Sequence, residues 1–184
     1  MKKTVLTFGL ISGVISAALM AAFVPFIDKI GFDKGMLVGY TSMVLAFLLV
    51  FFGIRSYRDN VGGGYISFGR AFAVGILIVL VSSLCYVIAW EIVYFGFLPD
   101  FADKYTAHLL EGMRRSGASV EQIAAKAEEM KQMKALYNNP LFNGLITLTE
   151  PLPPGLLVTL ISSLILRRKR KITLESPQLD EAVA

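Results

Sequence analysis

Four apolar runs, each of roughly 20 residues or more, fill much of this chain, and the last stops abruptly at Arg167, Arg168, Lys169, Arg170 and Lys171. At ~1.5 Å of rise per residue, a helix of that length crosses a hydrocarbon core of ~30 Å. A helix satisfies all its backbone donors and acceptors internally, which lipid cannot do for it. The expected spans are 5–27, 35–54, 71–98 and 141–166, giving an all-α polytopic membrane protein with four transmembrane helices. A 55% hydrophobic composition and a mean hydropathy of +0.62 exceed what an ordinary soluble domain carries.

Charge placement fixes the expected orientation. Lys2 and Lys3 precede span one, Arg55, Arg58 and Arg70 lie between spans two and three, and the basic run follows span four. Four crossings put all three groups on one side, which the positive-inside rule makes cytoplasmic. The other side carries a short turn with Asp28 and Asp33 balanced by Lys29 and Lys34, and the 99–139 segment, whose six basic residues equal its six acidic ones. Both termini are then cytoplasmic. The Lys2-Lys3 start and the small residues Ser16, Ala17 and Ala18 resemble a secretory signal peptide. The apolar stretch continues to Ile27, however, longer than a typical hydrophobic region of 7–15 residues, which argues against cleavage.

Net charge of +4 and a pI near 9.2 do not indicate nucleic acid, because much of the excess abuts the final span. Arg167, Arg168, Lys169, Arg170 and Lys171 are expected to contact anionic lipid headgroups. The lone Cys85 lies within an apolar run and excludes an intrachain disulfide and the usual Cys/His zinc site. It reads as a small buried hydrophobe. No cofactor is expected.

Within the spans, Gly9, Gly13, Ala17 and Ala21 recur every fourth residue and predict a small-residue stripe allowing close helix approach. Gly35 and Gly39, Ala71 and Gly75, and Gly155, Thr159 and Ser163 repeat the pattern. A compact bundle accounts for it, and the same spacing also serves a homo-oligomer.

Segment 99–139 is too long for a bare loop and reads as a helical hairpin on the extracytoplasmic side. Asp100 is placed to cap a helix with Phe101, Tyr105, Leu109 and Met113 on one face, and Ser116-Gly117-Ala118 supplies the break. Ser119 and Gln122 form a capping box for a second helix presenting Ile123, Ala127, Met130, Lys134 and Tyr137. This amphipathic pair is expected to cover the bundle mouth, lie on lipid, or hold a membrane or periplasmic protein. His108 reads as a solvated imidazole without carboxylates at ligand spacing. Val61-Gly62-Gly63-Gly64-Tyr65 lacks the lysine and hydroxyl residue of a phosphate loop and reads as a flexible link.

The chemistry-bearing candidates are Glu91 and Glu150, since ionisable groups at membrane depth are costly and mark function by default. Glu91 lies ~31 Å beyond Arg70 at helical rise, near the outer headgroups, and Glu150 ~25 Å from Arg167, inside the apolar layer. Pro151, Pro153 and Pro154 cannot donate amide hydrogen bonds, so the fourth span should break there, before Gly155. The two carboxylates are expected either to share a proton or cation, or to be bland, with Glu150 marking a helix start. Two glutamates without a metal set or activated nucleophile make a poor catalytic constellation, and no enzyme is expected.

The segments Ile66-Ser67-Phe68-Gly69-Arg70-Ala71-Phe72, Pro99-Asp100-Phe101, Tyr137-Asn138-Asn139-Pro140 and Glu150-Pro151, followed by Gly155-Leu156-Leu157-Val158-Thr159-Leu160-Ile161-Ser162, occur in an order that resembles the bacterial inner-membrane family catalogued as domain of unknown function 4199. The resemblance implies four helical spans and a helical extracytoplasmic insert, and carries no activity or catalytic residues. Residues 1–171 are expected to form one membrane domain and 172–184 a disordered cytoplasmic tail. The expected role is a non-enzymatic scaffold or modulator of a membrane or envelope partner, with a proton, cation or small-solute transporter as the alternative.

Overall fold

A computed structural model describes residues 1–168, and these are helical apart from short turns and one isolated antiparallel bridge. Lys169, Arg170, Lys171 and the 172–184 tail, assigned above to lipid contact and to disorder, lie outside the described residues. The eight helices are α1 (Lys2–Phe23), α2 (Ile27–Ile30), α3 (Phe32–Asn60), α4 (Phe68–Phe97), α5 (Phe101–Arg115), α6 (Val120–Tyr137), α7 (Pro140–Thr149) and α8 (Leu152–Leu166). Four stretches are long and apolar enough to cross a membrane: Lys2–Phe26, Phe32–Asn60, Phe68–Phe97 and Pro140–Leu166. The protein is therefore all-α, with four candidate transmembrane spans.

The register between helices follows from where glycines meet neighbours. Gly9 lies against Ile78 and Val81, and Gly13 against Ser82 and Cys85, so α1 and α4 run parallel. Gly53 meets Phe8, and Ser12 Oγ donates to the Ala46 carbonyl at 2.9 Å, so α3 runs antiparallel to α1. Gly75 meets Thr159 and Gly155 meets Val79, which makes α8 antiparallel to α4. Lys2, Lys3, Arg55, Arg58, Arg70, Arg167 and Arg168 consequently gather at one end of the molecule. There Ile66 and Arg168 exchange backbone hydrogen bonds of 3.1 and 2.9 Å, tying the α3–α4 turn to the end of α8.

Lipid tails are as apolar as leucine, so close packing rather than removal of apolar surface from water holds such helices together. A Cβ on Gly13 would sit 2.5 Å from the Cys85 Cβ, and one on Gly155 would sit 2.5 Å from Val79 Cγ1. Half-buried Cys85 thus packs directly on the α1 backbone. The α1 stripe itself differs from its expected course: Gly9, Ser12, Gly13 and Ser16 are buried, Ala17 is half-buried and Ala21 exposed. Spacing by four drifts around a helix of 3.6 residues per turn, and the true contact line adds the i+3 positions Ser12 and Ser16. Gly39 meets nothing, while Gly53 is the close-contact glycine of α3. Ala71 and Gly75 on α4, and Gly155, Thr159 and Ser163 on α8, are buried as the spacing predicts.

The basic end is dense, with Val50, Ile54, Ala71, Val74, Ile78 and Val79 all at 0% exposure. The glycine-rich turn there is closed rather than a loose link. The Gly64 amide donates to the Arg58 carbonyl at 3.0 Å and Tyr65 to Gly62 at 3.1 Å, with Gly63 at φ 60° and Gly64 at φ 86° where a side chain is strained. The α3 helix extends beyond its apolar run through Arg55 to Asn60, where Asp59 pairs with Arg58 at 2.7 Å.

The fourth span is interrupted where the prolines require it. Helix α7 ends at Thr149, Glu150 caps it, and α8 begins at Leu152 with Pro151 as its N-terminal cap. Glu150 is therefore not the side-chain cap of a helix start, because α8 has no side-chain capping bond.

Candidate functional site: a methionine-lined vestibule

Helices α5 and α6 are joined by a turn at Gly117, whose φ of 81° is the left-handed conformation that ends α5. Ser119 and Gln122 make both bonds of the capping box that starts α6. Asp100 occupies the N-terminal cap position of α5 but makes no capping bond; its carboxylate pairs instead with Lys104 at 3.0 Å. That hydrogen bond, with the lysine charge behind it, holds the Asp100 carboxyl below its ordinary range. On Glu121 the amide at the start of α6 acts in the same direction.

The two helices meet the spans at two places. At the start of α3, the Phe32 ring packs on Phe101, Tyr105 and His108 at 5.3–5.6 Å between centroids. His108 Nε2 lies 3.2 Å from Asp33 Oδ1. The imidazole thus faces a carboxylate that sequence spacing could not reveal, since the two residues are 75 positions apart. At the end of α4, Trp90 packs on Phe101 at 5.3 Å and Tyr94 on Tyr137 at 5.2 Å.

A cavity of about 840 Å³ lies between these two attachments, roofed by α5 and α6 and floored by the ends of the spans away from the basic cluster. Every methionine except Met1 lines it: Met20, Met36, Met43, Met113, Met130 and Met133. Phe101, Tyr105, Leu109 and Met113, the face expected of α5, all contribute. Met36 is 63% exposed, so the cavity opens beside α3. Volumes of ~300–1,000 Å³ with mostly apolar walls and few polar groups characterise sites for small molecules.

Glu150 supplies a polar point on the part of the wall formed by α4 and the break in the fourth span. Tyr86 Oη donates to Glu150 Oε2 at 3.4 Å, and both residues line the cavity with Trp90 and Tyr137. A hydrogen-bond chain fixes this wall. Trp90 Nε1 donates to Tyr137 Oη at 3.1 Å, which lies 3.4 Å from Thr147 Oγ1, and Thr147 donates to Asn143 Oδ1 at 3.2 Å. Asn143 in turn donates to the Tyr137 carbonyl at 3.2 Å. Burial raises the Tyr137 phenol above its ordinary range, against the hydrogen bonds from Thr147 and Trp90.

Glu91 occupies a different place. Its Oε1 is buried without a hydrogen-bond partner and lies 3.5 Å from where a Gly144 Cβ would stand, at the contact between α4 and α7. No hydrogen bond joins Glu91 to Glu150, and Glu91 does not line the cavity. On α4, position 91 is turned ~140° from position 86, so Glu91 leaves the helix on a different face from Tyr86, which meets Glu150. Pro151 and Gly155 are buried at the break, packed among the spans, while Pro153 is exposed and Pro154 half-buried. Arg167 and Arg168 are exposed at the basic end. No cluster of three or more metal-ligating side chains occurs among the described residues.

Sequence reasoning selected Glu150 but missed Tyr86, Trp90, Asn143 and Tyr137 as its setting. The signal available was the spacing of Tyr86, Trp90 and Tyr94 at i, i+4 and i+8, a line of amphipathic aromatics in the last third of α4.

No curated protein and no solved structure matches the chain. The family described as "Protein of unknown function (DUF4199)" matches residues 7–168, nearly all of the described helices, and the chain belongs to that family.

Proposed function

We propose that this protein is a non-enzymatic component of the bacterial inner membrane that modulates a partner by holding it in the vestibule beneath α5 and α6. In this reading the basic end is cytoplasmic and both termini lie on that side. The clustering of Lys2, Lys3, Arg55, Arg58, Arg70, Arg167 and Arg168 at one end supports it through the positive-inside rule. Anionic headgroups then face Arg167 and Arg168, with Lys169, Arg170 and Lys171 continuing the charge.

The observation that carries the binding role is the cavity itself: about 840 Å³ of mostly apolar wall at the far end from the basic cluster. Methionines suit an occupant of varied shape, because an unbranched thioether side chain repacks at little cost. The dense layer at Val50, Ile54, Val74 and Ile78 lies between the vestibule and the basic end. A site closed at its inner side fits capture better than passage.

A photo-reactive residue at Leu19, which lines the cavity, tests the role in cells. The expected result is a discrete adduct absent from a control at Leu84, which is 55% exposed on α4 and outside the cavity. Identical bulk-lipid adducts at both positions would contradict the reading.

A second reading, transport of a proton, cation or small solute, draws on one observation: Glu150 sits at a helix break and lines a cavity. Loss of cation or proton flux in liposomes on Glu150→Gln would favour it over capture.

A further inference from the structure

The charges around the vestibule are unequal in how they are answered. Three basic side chains line it, and each already faces an acid: His108 faces Asp33 at 3.2 Å, Arg115 faces Glu111 at 3.1 Å, and Lys134 bonds Asp103. Glu150 also lines it, and its carboxylate accepts a hydrogen bond from a neutral phenol, Tyr86, at 3.4 Å. Among the described residues, the cavity therefore presents one carboxylate, Glu150, that faces no basic side chain, whereas each basic group lining it faces an acid.

The rings of Tyr86, Trp90 and Tyr137 share that wall. Aromatic faces attract organic cations, more strongly where water is scarce. A carboxylate at membrane depth without a cation is costly, and a ligand that brings one removes the cost. Much of the remaining wall is methionine, leucine and phenylalanine, which accept a flexible hydrocarbon chain.

We infer that the vestibule binds a cationic amphiphile, an alkyl ammonium whose head group seats against Glu150 beside Tyr86, Trp90 and Tyr137 and whose chain lies along the methionines. The inference rests on the vestibule being an occupied site, as proposed above, and adds the chemistry of the occupant. An anionic amphiphile such as a fatty acid is disfavoured, because its carboxylate would face Glu150. The open side at Met36 gives the chain a route in from the neighbouring lipid.

Trp90 is the sole tryptophan and stands in the site, so its emission reports occupancy directly. The full chain in phosphatidylcholine nanodiscs is titrated with dodecyltrimethylammonium, dodecanoate and dodecanol. The ammonium is expected to give a saturable emission change with an affinity at least about tenfold above the other two, as a charge-assisted contact would supply. Glu150→Gln should erase that preference without shifting the emission spectrum of the empty protein and without lowering its thermal unfolding midpoint. Asp33→Asn, which removes an exposed acid at the cavity edge, should preserve it.

Should the Glu150 variant not fold, the ranking of the three head groups on the unmodified chain decides the matter alone. Equal saturable binding of all three, or a preference that survives Glu150→Gln, overturns the cation assignment and leaves the vestibule role standing. No saturable binding of any of the three overturns the assignment, and the Leu19 adduct then decides the role independently. Adding phosphatidylethanolamine to the discs separates two sources of the same chemistry: competition with the ammonium identifies an amine-bearing lipid, and its absence identifies a free amphiphile.

Discussion

Asn143 is fully buried and bonded on both sides of its amide, donating to the Tyr137 carbonyl and accepting from Thr147. It joins the end of α6 to α7 and so sets the wall on which Glu150 and Tyr137 stand. Replacing it with alanine leaves the Tyr137 carbonyl and the Thr147 hydroxyl short of a partner, a cost of about 1–3 kcal/mol for each such buried group left unpaired. Thermal unfolding of purified Asn143→Ala should shift downward, and Trp90 emission should move to the red as Tyr137 loosens; an unchanged spectrum would contradict the coupling. Of the polar groups on this wall Glu150 was the one legible as a site residue in the sequence, because a carboxylate beside prolines in an apolar run is conspicuous. Asn143 and Tyr137 look like ordinary helix-end residues until the chain folds back. Glu91 was equally conspicuous but faces Gly144, since depth along a helix is readable from residue counting and azimuth relative to partners is not.

At the scale of elements, helix contacts are governed by which glycines are met by a neighbour. Gly13 and Gly39 are both glycines in apolar helices, yet a Cβ on Gly13 collides with the Cys85 Cβ, and one on Gly39 meets open space. Gly13→Ala should lower the unfolding midpoint, since overpacking costs about 1–3 kcal/mol, while Gly39→Ala should leave it unchanged or raise it slightly through helix propensity. Equal effects of the two substitutions would mean that α1 does not pack on α4 as described. The four long apolar helices follow from local signals and agree with the structure, and Ser119 and Gln122 make both bonds of a capping box, whereas the short turn expected before Lys34 contains the helix α2. The course of the α1 stripe and the choice of Gly53 over Gly39 depend on neighbours, which a period of four cannot name. His108 makes the same point: its partner, Asp33, comes from another helix.

At the scale of the whole molecule, the chain divides into a dense end, where Lys2, Lys3, Arg55, Arg58, Arg70, Arg167 and Arg168 gather, and an open end, where α5 and α6 cover a methionine-lined space. The four apolar stretches were legible because lipid demands length and hydropathy, both of which are linear properties of sequence. The vestibule was not, because it is defined by space left between elements distant in the chain: Met20 and Met36 come from α1 and α3, Met113 and Met130 from α5 and α6. One or two methionines in each of four helices read as ordinary apolar filling until all six line one space. The proposed role depends on a sidedness that the two ends suggest through the positive-inside rule. Single cysteines introduced by Ser119→Cys and Arg167→Cys, each with Cys85→Ser, test it in intact cells with a membrane-impermeant maleimide. Ser119→Cys should label from outside and Arg167→Cys only after the inner membrane is permeabilised; labelling of both from the same side, or recovery of the protein from the aqueous fraction without detergent, would contradict the account.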